Sequence, residues 1–267
     1  MNDPVDPDLR PTDRLTGRRV LVVGAGTETH GLPDAPVGNG RAIAVLAGRA
    51  GATVVCADRN RDAASETAAQ IRDEGGHAQV VVADVTEAED CAAMVTEAHD
   101  LLGGLDGLVL NVGIGAGSWL AGTSDADWDR VFDVNLRAHF VACRTALPLL
   151  DDGSAIVFIS SVAGLRPGSR IPAYDTSKAA LAGLARHVAF EGGRRGIRAN
   201  VVAPGLIDTP LGRLATQSRP SRTDAPVRLG RQGTAWEVAA PVVFLLSNEA
   251  SYVTGQVLAV DGGLSTV

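Results

Sequence analysis

Short apolar runs alternate along the chain with longer segments whose hydrophobic residues recur at helical spacing. The apolar runs predict seven strands, at 19–23, 52–58, 77–84, 105–113, 154–161, 197–205 and 256–263. Helical spacing predicts helices over 40–49, 61–74, a stretch that ends near 102, about 125–150, 173–191 and about 235–247. Because strands without a polar face must be covered on both sides, this order predicts an α/β, doubly wound (Rossmann-type) fold, a seven-stranded parallel sheet with helices on both faces. We expect a single domain over 16–267 behind a flexible tail, 1–15.

Composition and charge exclude several classes of protein. The chain of 267 residues carries a formal net charge of −7, and an acidic chain repels the phosphates of nucleic acid. No apolar run approaches the ~18 residues of a membrane span, and the polar N-terminal tail lacks the apolar stretch of a signal peptide. Three widely spaced cysteines without metal-ligand spacing indicate reduced thiols in a cytoplasmic protein. We therefore expect no nucleic acid, membrane or metal partner.

A glycine-rich turn follows the first predicted strand. Gly24 and Gly26 end that strand, and Gly38, Asn39 and Gly40 open the next predicted helix. Glycines at such a turn let the backbone approach a pyrophosphate, which the helix N-terminus then binds through its free N–H groups. Eleven residues, 27–37, separate the two groups of glycines, so a purely structural turn explains this segment equally well.

Two charged residues stand at the end of the second predicted strand, Asp58 and Arg59. A carboxylate there accepts a hydrogen bond from a ribose 2′-hydroxyl and repels a 2′-phosphate, which favours NAD over NADP. Arg59 favours the opposite choice, because a guanidinium attracts that phosphate. A solvated Asp–Arg turn without any ligand is the third interpretation.

The most specific group of residues is Ser161, Tyr174 and Lys178. Tyr174 and Lys178 stand four residues apart and so project from one helix face, and Lys178 is the only lysine of the chain. A phenol with a pKa near 10 is a poor base at neutral pH, and a neighbouring ammonium favours the phenolate. With Ser161 as a hydrogen-bond donor, the group predicts proton exchange with a substrate oxygen. A chance tyrosine–lysine pair is the alternative, but it does not explain the single lysine.

These residues lie in segments that resemble the short-chain dehydrogenase/reductase family over about residues 16–265. The segments are LTGRRVLVVGAG, GNGRAIAVLAGRAGATVVCADRN, ADVT, LDGLVLNVGIG, FDVNLRAHF, AIVFISSVAG, YDTSK, IRANVVAPGLIDTP and ASYVTGQVLAVDGG. The resemblance implies that Tyr174 is the general acid/base and that Lys178 binds the nicotinamide ribose and lowers the pKa of the tyrosine. It implies that Ser161 positions the carbonyl and that Asn135 holds the water of a proton relay. The cofactor contacts it implies are Gly24, Gly38, Asn39, Gly40, Asp58, Arg59, Asp84, Val85, Asn111, Gly113, Tyr174, Lys178, Pro204, Gly205, Ile207 and Thr209.

Two segments depart from the family pattern or carry an unusual charge. The insertion at 27–37 opens the glycine turn, and we interpret it either as a cap over the cofactor or as a solvent loop. Val112 stands where the family usually has a small residue, which affects local geometry only. A substrate lid is expected over about 206–233, with further walls at 114–122 and 165–173. Its segment 211–231 holds five arginines against one acid, Asp224, which indicates either an anionic substrate or a solvated loop.

Two enzymatic functions fit these features. The first is an oxidoreductase that transfers a hydride between NAD(H) and a secondary alcohol or ketone. The second is a 3-oxoacyl thioester reductase, which Asp58 disfavours, as does the acidic pair Asp151 and Asp152, since an acyl-carrier partner is itself acidic. A catalytically silent nucleotide-binding regulator is the alternative of another class, disfavoured by the complete catalytic set.

The resemblance also implies a homo-oligomer, with a tetramer favoured. Apolar positions on the predicted helices permit this assembly: Val134, Phe140, Leu184 and Val188. His139 and His187 are interpreted as interface or surface residues rather than as ligands.

Overall fold

Seven parallel strands form the sheet on which the site is built. The computed structural model describes residues 13–265, and the strands of this sheet are β1 (Arg19–Val23), β2 (Thr53–Asp58), β3 (His77–Val82), β4 (Leu105–Leu110), β5 (Leu150–Ile159), β6 (Arg198–Pro204) and β9 (Val257–Val260). Their spatial order is β3-β2-β1-β4-β5-β6-β9. A separate parallel pair consists of β7 (Ile207–Asp208) and β8 (Gly233–Thr234). The predicted fold class is confirmed.

Helices cover both faces of the sheet. They are α1 (Asn39–Arg49), α2 (Arg61–Asp73), α3 (Ala88–Leu102), α4 (Asp125–Phe132), α5 (Ala138–Leu149), α6 (Pro172–Gly192), α7 (Pro210–Ser218) and α8 (Ala235–Leu246). Two apolar clusters result, one under α1 and α8 and one under α3, α5 and α6. Because each central strand contributes side chains to both clusters, its sequence has no polar face.

Local signals explain where several helices begin and end. The side chain of Asn60 accepts hydrogen bonds from the second and third residues of α2, and Thr234 and Glu237 form a reciprocal capping box at the start of α8. α3 ends at Gly103, whose φ of 67° lies in the left-handed region that favours glycine. α6 begins with Pro172, whose missing N–H is not needed in the first turn.

The structure corrects several predicted boundaries. The predicted helix 125–150 contains a π-helical segment, 133–137, between α4 and α5. The predicted fourth strand ends three residues early, at Leu110, and the fifth begins at Leu150 rather than 154. Leu15, the last residue of the predicted tail, is fully buried, and residues 1–12 of that tail lie outside the described residues.

The strand order positions a crevice at one edge of the sheet. From β1 the chain passes through α1 to β2 on one side, whereas β4 pairs with β1 on the other. At such a switch point the connections diverge above the carboxyl ends of the strands and leave room for a ligand. Within residues 13–265, no helix is long and apolar enough to cross a membrane, and no cluster of His, Cys, Asp or Glu is arranged to hold a metal.

Candidate active site

A cavity of about 480 Å³ opens at this switch point, above β1 and β4. Its wall brings together most of the cofactor contacts that the sequence predicts: Gly24, Gly38, Asn39, Gly40, Asp58, Arg59, Asp84, Val85, Asn111, Gly113, Tyr174, Lys178 and Thr209. It also includes Thr27, Glu28 and His30 of the insertion. The cavity therefore runs from the glycine turn to the first turn of α6.

The glycine turn is built so that a ligand meets backbone rather than side chains. A Cβ on Gly40 would lie 1.7 Å from the carbonyl oxygen of Gly24, and one on Gly26 would lie 2.9 Å from Oδ2 of Asp58. α1 has no side-chain cap and no acidic residue in its first turn, so its first N–H groups stay available. Free donors at a positive helix end beside a side-chain-free turn fit the pyrophosphate of a dinucleotide.

The end of the cavity beside Asp58, where the family resemblance implies the adenosine of a dinucleotide, is acidic. Both oxygens of Asp58 accept backbone N–H bonds, from Gly26 at 2.9 Å and from Asn60 at 3.0 Å, which fixes the carboxylate toward the cavity. Arg59 is paired with Glu28 at 3.2 Å. Sequence reasoning missed Glu28, because the two residues are 31 positions apart and nothing local links them.

Lys178 lies at the opposite end, buried beneath the cavity wall. Its Nζ donates to the carbonyl oxygen of Ile159 at 2.9 Å and, more weakly, to that of Val112 at 3.5 Å. The side chain is 4% exposed, and burial lowers its pKa from 10.5 to about 8. A Cβ on Gly113 would lie 2.8 Å from Nζ, so only glycine leaves room for the ammonium there.

Tyr174 stands one helical turn before Lys178, on the same face of α6. Burial raises the pKa of its phenol, and a hydrogen bond with Ser161 acts in the opposite direction. The ammonium of Lys178 lies 5.9 Å from the centroid of the Tyr174 ring, and a cation near a phenol favours the phenolate. That Lys178 lowers the pKa of Tyr174 stays a prediction, which has to offset the effect of burial.

Asn135 lies in the π-helical segment and is fully buried. Its Oδ1 accepts from the N–H of Ile114 at 2.8 Å, and its Nδ2 donates to the carbonyl of Ile114 at 2.9 Å and to Oγ of Ser177 at 3.1 Å. Both amide hydrogens are thus used by the protein. The side chain holds the loop after β4 against α6. For the predicted contact with a relay water, the side chain has at most one lone pair of Oδ1 available. The π-helical segment accounts for the inward direction of the Asn135 side chain, and π-helical segments of this kind are frequent at functional sites.

Ser161 follows β5 in an extended conformation, φ −164° and ψ 157°. Its hydroxyl accepts from the N–H of Ala163 at 3.1 Å and meets the phenol of Tyr174. The catalytic residues that the sequence predicts, Asn135, Ser161, Tyr174 and Lys178, therefore converge around the first turn of α6.

The structure places four residues differently from what the sequence predicts. Pro204, Gly205 and Ile207 do not line the cavity. A Cβ added to Gly205 would lie 2.6 Å from Asp261, and Ile207 is buried in the core. His139 is no surface residue but is fully buried, where burial and the charge of Lys178 lower its pKa to about 3.

The three segments predicted as substrate walls contact one another. The N–H of Trp119 donates to the carbonyl of Arg170 at 2.7 Å, so the 114–122 and 165–173 segments touch. The lid joins them through Arg219, whose Nη1 donates to the carbonyl oxygens of Gly168 and Ser169 at 2.7 and 2.8 Å. The lid is ordered into β7, α7 and a 3₁₀ turn at 220–224, elements that the sequence did not predict.

Comparison with known proteins identifies the family. Residues 36–265 match the family described as Enoyl-(Acyl carrier protein) reductase. The chain is 36% identical over 264 residues to 2-(S)-hydroxypropyl-CoM dehydrogenase 3 of Xanthobacter autotrophicus, covering 96% of this chain and 100% of the relative. It is 40% identical over 233 residues to the same organism's inactive 2-(S)-hydroxypropyl-CoM dehydrogenase 2, covering 84% and 100%. To the 3-oxoacyl-[acyl-carrier-protein] reductase FabG of Thermotoga maritima it is 33% identical over 253 residues, covering 94% and 99%.

A solved structure agrees with these relatives. A short chain dehydrogenase from Mycobacterium smegmatis superposes with a TM-score of 0.81 at 32% identity, covering 97% of each chain. The chain belongs to the short-chain dehydrogenase/reductase family. It is an oxidoreductase that acts on a CH–OH or ketone group, and the family implies a nicotinamide cofactor.

Proposed function

We propose that this chain is an NAD-dependent dehydrogenase that interconverts a secondary alcohol and a ketone, with Tyr174 as its general acid/base. The observation that carries the proposal is the placement of Tyr174 and the only lysine on one face of α6, at the end of a cavity whose other end is a side-chain-free glycine turn. Hydride carrier and proton donor would thus meet at one carbonyl carbon and its oxygen.

The catalytic residues have separable tasks. The nicotinamide, when bound, supplies or accepts the hydride. In the reducing direction Tyr174 gives its phenolic proton to the substrate oxygen, and Ser161 holds that oxygen by a hydrogen bond. Lys178 uses two of its three N–H donors on backbone carbonyls, and the third would be available to hold the ribose hydroxyls of a nicotinamide cofactor. Asn135 bonds to Ile114 in the loop after β4 and to Ser177 of α6. It fixes the separation of these two segments and is therefore a positioning residue.

The preference for NAD is supported by two carboxylates at the adenosine end. Asp58 and Glu28 both line the cavity, and Glu28 pairs with Arg59, the cation that follows β2 and could attract a 2′-phosphate. Two carboxylates near a ribose hydroxyl repel a phosphate ester at that position.

Absorbance of the reduced nicotinamide, measured with NAD and NADP in parallel across secondary alcohols and ketones, tests the proposal. We expect turnover with NAD at a kcat/KM at least about tenfold above that with NADP, the effect of roughly 1.4 kcal/mol. Glu28→Gln, which frees Arg59, should narrow that ratio, whereas Glu66→Gln on α2, which lies outside the cavity, should not. An equal ratio in parent and Glu28→Gln would show that Glu28 does not set the preference, and a parent ratio that favours NADP would overturn the cofactor assignment.

A 3-oxoacyl thioester reductase is the second candidate, favoured by the FabG relative and by the matched family's description. The sequence argument against this candidate that rests on the acidic pair Asp151 and Asp152 does not apply. Asp151 and Asp152 begin β5, at the amino edge of the sheet, where they pair with Arg19 and Arg195. That edge is opposite the cavity, so these carboxylates cannot repel an acyl carrier docked at the site. Turnover of a 3-oxoacyl thioester above that of a simple ketone would favour this candidate.

Two predictions about the whole molecule stay predictions. A cytoplasmic homotetramer is expected from the sequence, but Val134 and Val188 are buried within the chain itself. They are therefore unavailable to a partner, whereas Phe140 is 46% exposed. Sedimentation of the purified chain would measure the assembly.

The insertion at 27–37 is proposed to cap the adenosine half of the cofactor. It lines the cavity with Thr27, Glu28 and His30, and the carbonyl of Asp34 accepts from Arg213 of the lid at 3.1 Å. A bridge between the insertion and the lid would slow cofactor release. A variant with a shortened insertion should release NAD faster in stopped-flow measurements, and unchanged release rates would show a solvent loop instead.

A further inference from the structure

The five lid arginines separate by their partners. Arg213 is held by both carboxylate oxygens of Asp208, at 2.7 and 2.9 Å, and Arg231 by both oxygens of Glu237, at 2.9 and 2.7 Å. Arg228 is exposed to solvent. Three of the five positive charges are therefore neutralised or hydrated without any ligand.

The other two, Arg219 and Arg222, are half-buried and have no carboxylate partner among residues 13–265. Nη1 of Arg219 donates to the carbonyl oxygens of Gly168 and Ser169. Arg222 spends Nη1 on the carbonyl of Gly212 at 3.2 Å and on Oγ1 of Thr216 at 3.0 Å. Within the same described residues, Nε and Nη2 of both side chains have no hydrogen-bond partner.

The free edges matter because Nε and Nη2 are the side of a guanidinium that grips an oxoanion with two parallel hydrogen bonds. Both side chains are partly buried, and the two cations repel each other: burial and the charge of Arg219 together lower the pKa of Arg222. Two like charges held together without a counterion are costly. A bound anion would relieve this cost.

The position of the two arginines ties them to the reaction. Arg222 lies close enough to Tyr174 for its charge to favour the phenolate, and Arg219 holds the backbone that enters α6 just before Tyr174. One carboxylate, Asp175, also faces this corner, where it accepts from the N–H of Gly168 at 3.4 Å. Two guanidiniums against one carboxylate leave the corner positive.

Building on the proposed function, we infer that Arg219 and Arg222 form an oxoanion site of the substrate-binding pocket. The substrate is thus a ketone or secondary alcohol that carries a carboxylate or sulfonate, with the reacting oxygen at Tyr174 and the anionic group at the two arginines. The five-to-one excess of arginine over acid in segment 211–231 is reduced to these two residues, which are the half-buried ones without a carboxylate partner among residues 13–265.

Matched substrates test the inference. The parent enzyme is given a keto acid, its methyl ester and a keto sulfonate of the same chain length, and kcat/KM is measured for each. We expect both anions to exceed the ester by at least about tenfold, and Arg222→Gln to lower the anion-to-ester ratio by about 10- to 100-fold, the usual contribution of a hydrogen bond to a charged group. Arg228→Gln removes the same charge from an exposed position and should keep the parent ratio. Arg222→Lys keeps a cation at this position and should retain part of the parent's anion-to-ester ratio.

The outcomes separate this inference from the proposed function. Equal kcat/KM for acid and ester in the parent, with turnover of both, overturns the oxoanion site and leaves the dehydrogenase intact. Equal ratios in Arg222→Gln and Arg228→Gln overturn it too, since any lid charge would then serve. If no ketone is turned over, calorimetric binding of the hydroxy acid and its ester to the enzyme with NAD still decides: tighter binding of the acid, lost in Arg222→Gln, supports the site, and equal binding refutes it.

Discussion

The proposed catalytic floor (Asn135, Ser161, Tyr174 and Lys178) and the arginine lid (residues 206–233) both contribute residues to the wall of one cavity but hold their charges in opposite ways. Lys178 is buried and bonded only to backbone carbonyls, without a carboxylate within the described structure. In the lid, Arg213 and Arg231 lie on the surface of the fold and are fixed by carboxylates. Burial fixes the charge of Lys178 in the floor, whereas ion pairs fix the charges of Arg213 and Arg231 in the lid.

This difference assigns different tasks to the two regions. Backbone carbonyls at strand ends cannot rearrange without disturbing the sheet, so the floor presents the same geometry to every substrate. Ion pairs at half-exposed positions are individually weak and can exchange partners. Changes in the floor should therefore affect all substrates alike, whereas changes in the lid should discriminate between them.

The largest effect is expected from Tyr174→Phe. Loss of the phenolic proton donor should lower kcat by about 10²- to 10⁴-fold, by the same factor for neutral and anionic ketones. Binding of NAD, followed by calorimetry, should persist. Tyr252→Phe is the matched control, because Tyr252 is the only other tyrosine and is fully exposed. Turnover that survives in Tyr174→Phe, or a loss that depends on the substrate, would remove Tyr174 from the floor as defined.

Gly40→Ala should have the next largest effect. Its Cβ would lie 1.7 Å from the carbonyl oxygen of Gly24 and 2.7 Å from Nδ2 of Asn111, so backbone must move. We expect a loss of about 1–3 kcal/mol in the free energy of unfolding and weaker NAD binding. Gly183→Ala lies on α6 with open space around its Cβ and should gain up to about 1 kcal/mol from helix propensity. Urea unfolding with and without NAD measures both, and similar behaviour of the two variants would contradict the close approach at Gly40.

Lys178→Met tests the burial of the ammonium. The pKa of Lys178 falls from 10.5 to about 8 in the folded chain, so between these pH values the unfolded chain binds more protons. The stability of the parent relative to Lys178→Met should thus rise with pH across this window, by about 3 kcal/mol in full. Below pH 8 both states are protonated and the whole penalty is present. Parallel stability curves of parent and variant from pH 7 to 10.5 would show that the ammonium is well solvated.

How far the sequence predicts each region follows from the range of the interactions. Tyr174 and Lys178 are neighbours on one helix turn, so their shared face follows from a spacing of four. The strand ends of the sheet follow from apolar runs, which place Gly24, Asp58 and Asn111 at one edge.

The pairing of the lid was not predictable in this way. Asp208 and Glu237 stand five and six residues from the arginines they bind, a separation at which no regular structure enforces contact. Arg59 and Glu28 are farther apart still. His139 was misplaced for a different reason: a histidine on an amphipathic helix fits either face, and only the packing of α5 on β5, with His139 against Phe158, decides.

The smallest predicted effect is a shift in the pH dependence with a neutral ketone, which no oxoanion site can bind. The pKa of Tyr174 is raised by burial first, lowered by Ser161, raised by Asp175 and lowered by Arg222. Reduction needs the protonated phenol and declines as pH rises through this pKa, whereas oxidation needs the phenolate and increases. Arg222→Gln should move both limbs to higher pH, and Asp175→Asn should move both to lower pH.

The opposite signs make this pair a sharp test, because general damage to the corner would shift both variants the same way. Rate changes at a fixed pH should stay below about fivefold, since partly solvated charge pairs contribute about 1 kcal/mol or less. Salt should reduce both shifts, as screening weakens the two interactions together. Profiles of kcat/KM for the neutral ketone in both directions measure the limbs. Shifts of equal sign would mean that the lid acts on the floor by displacing Tyr174 rather than through its charge, and the division between a fixed floor and a discriminating lid would fail at this contact.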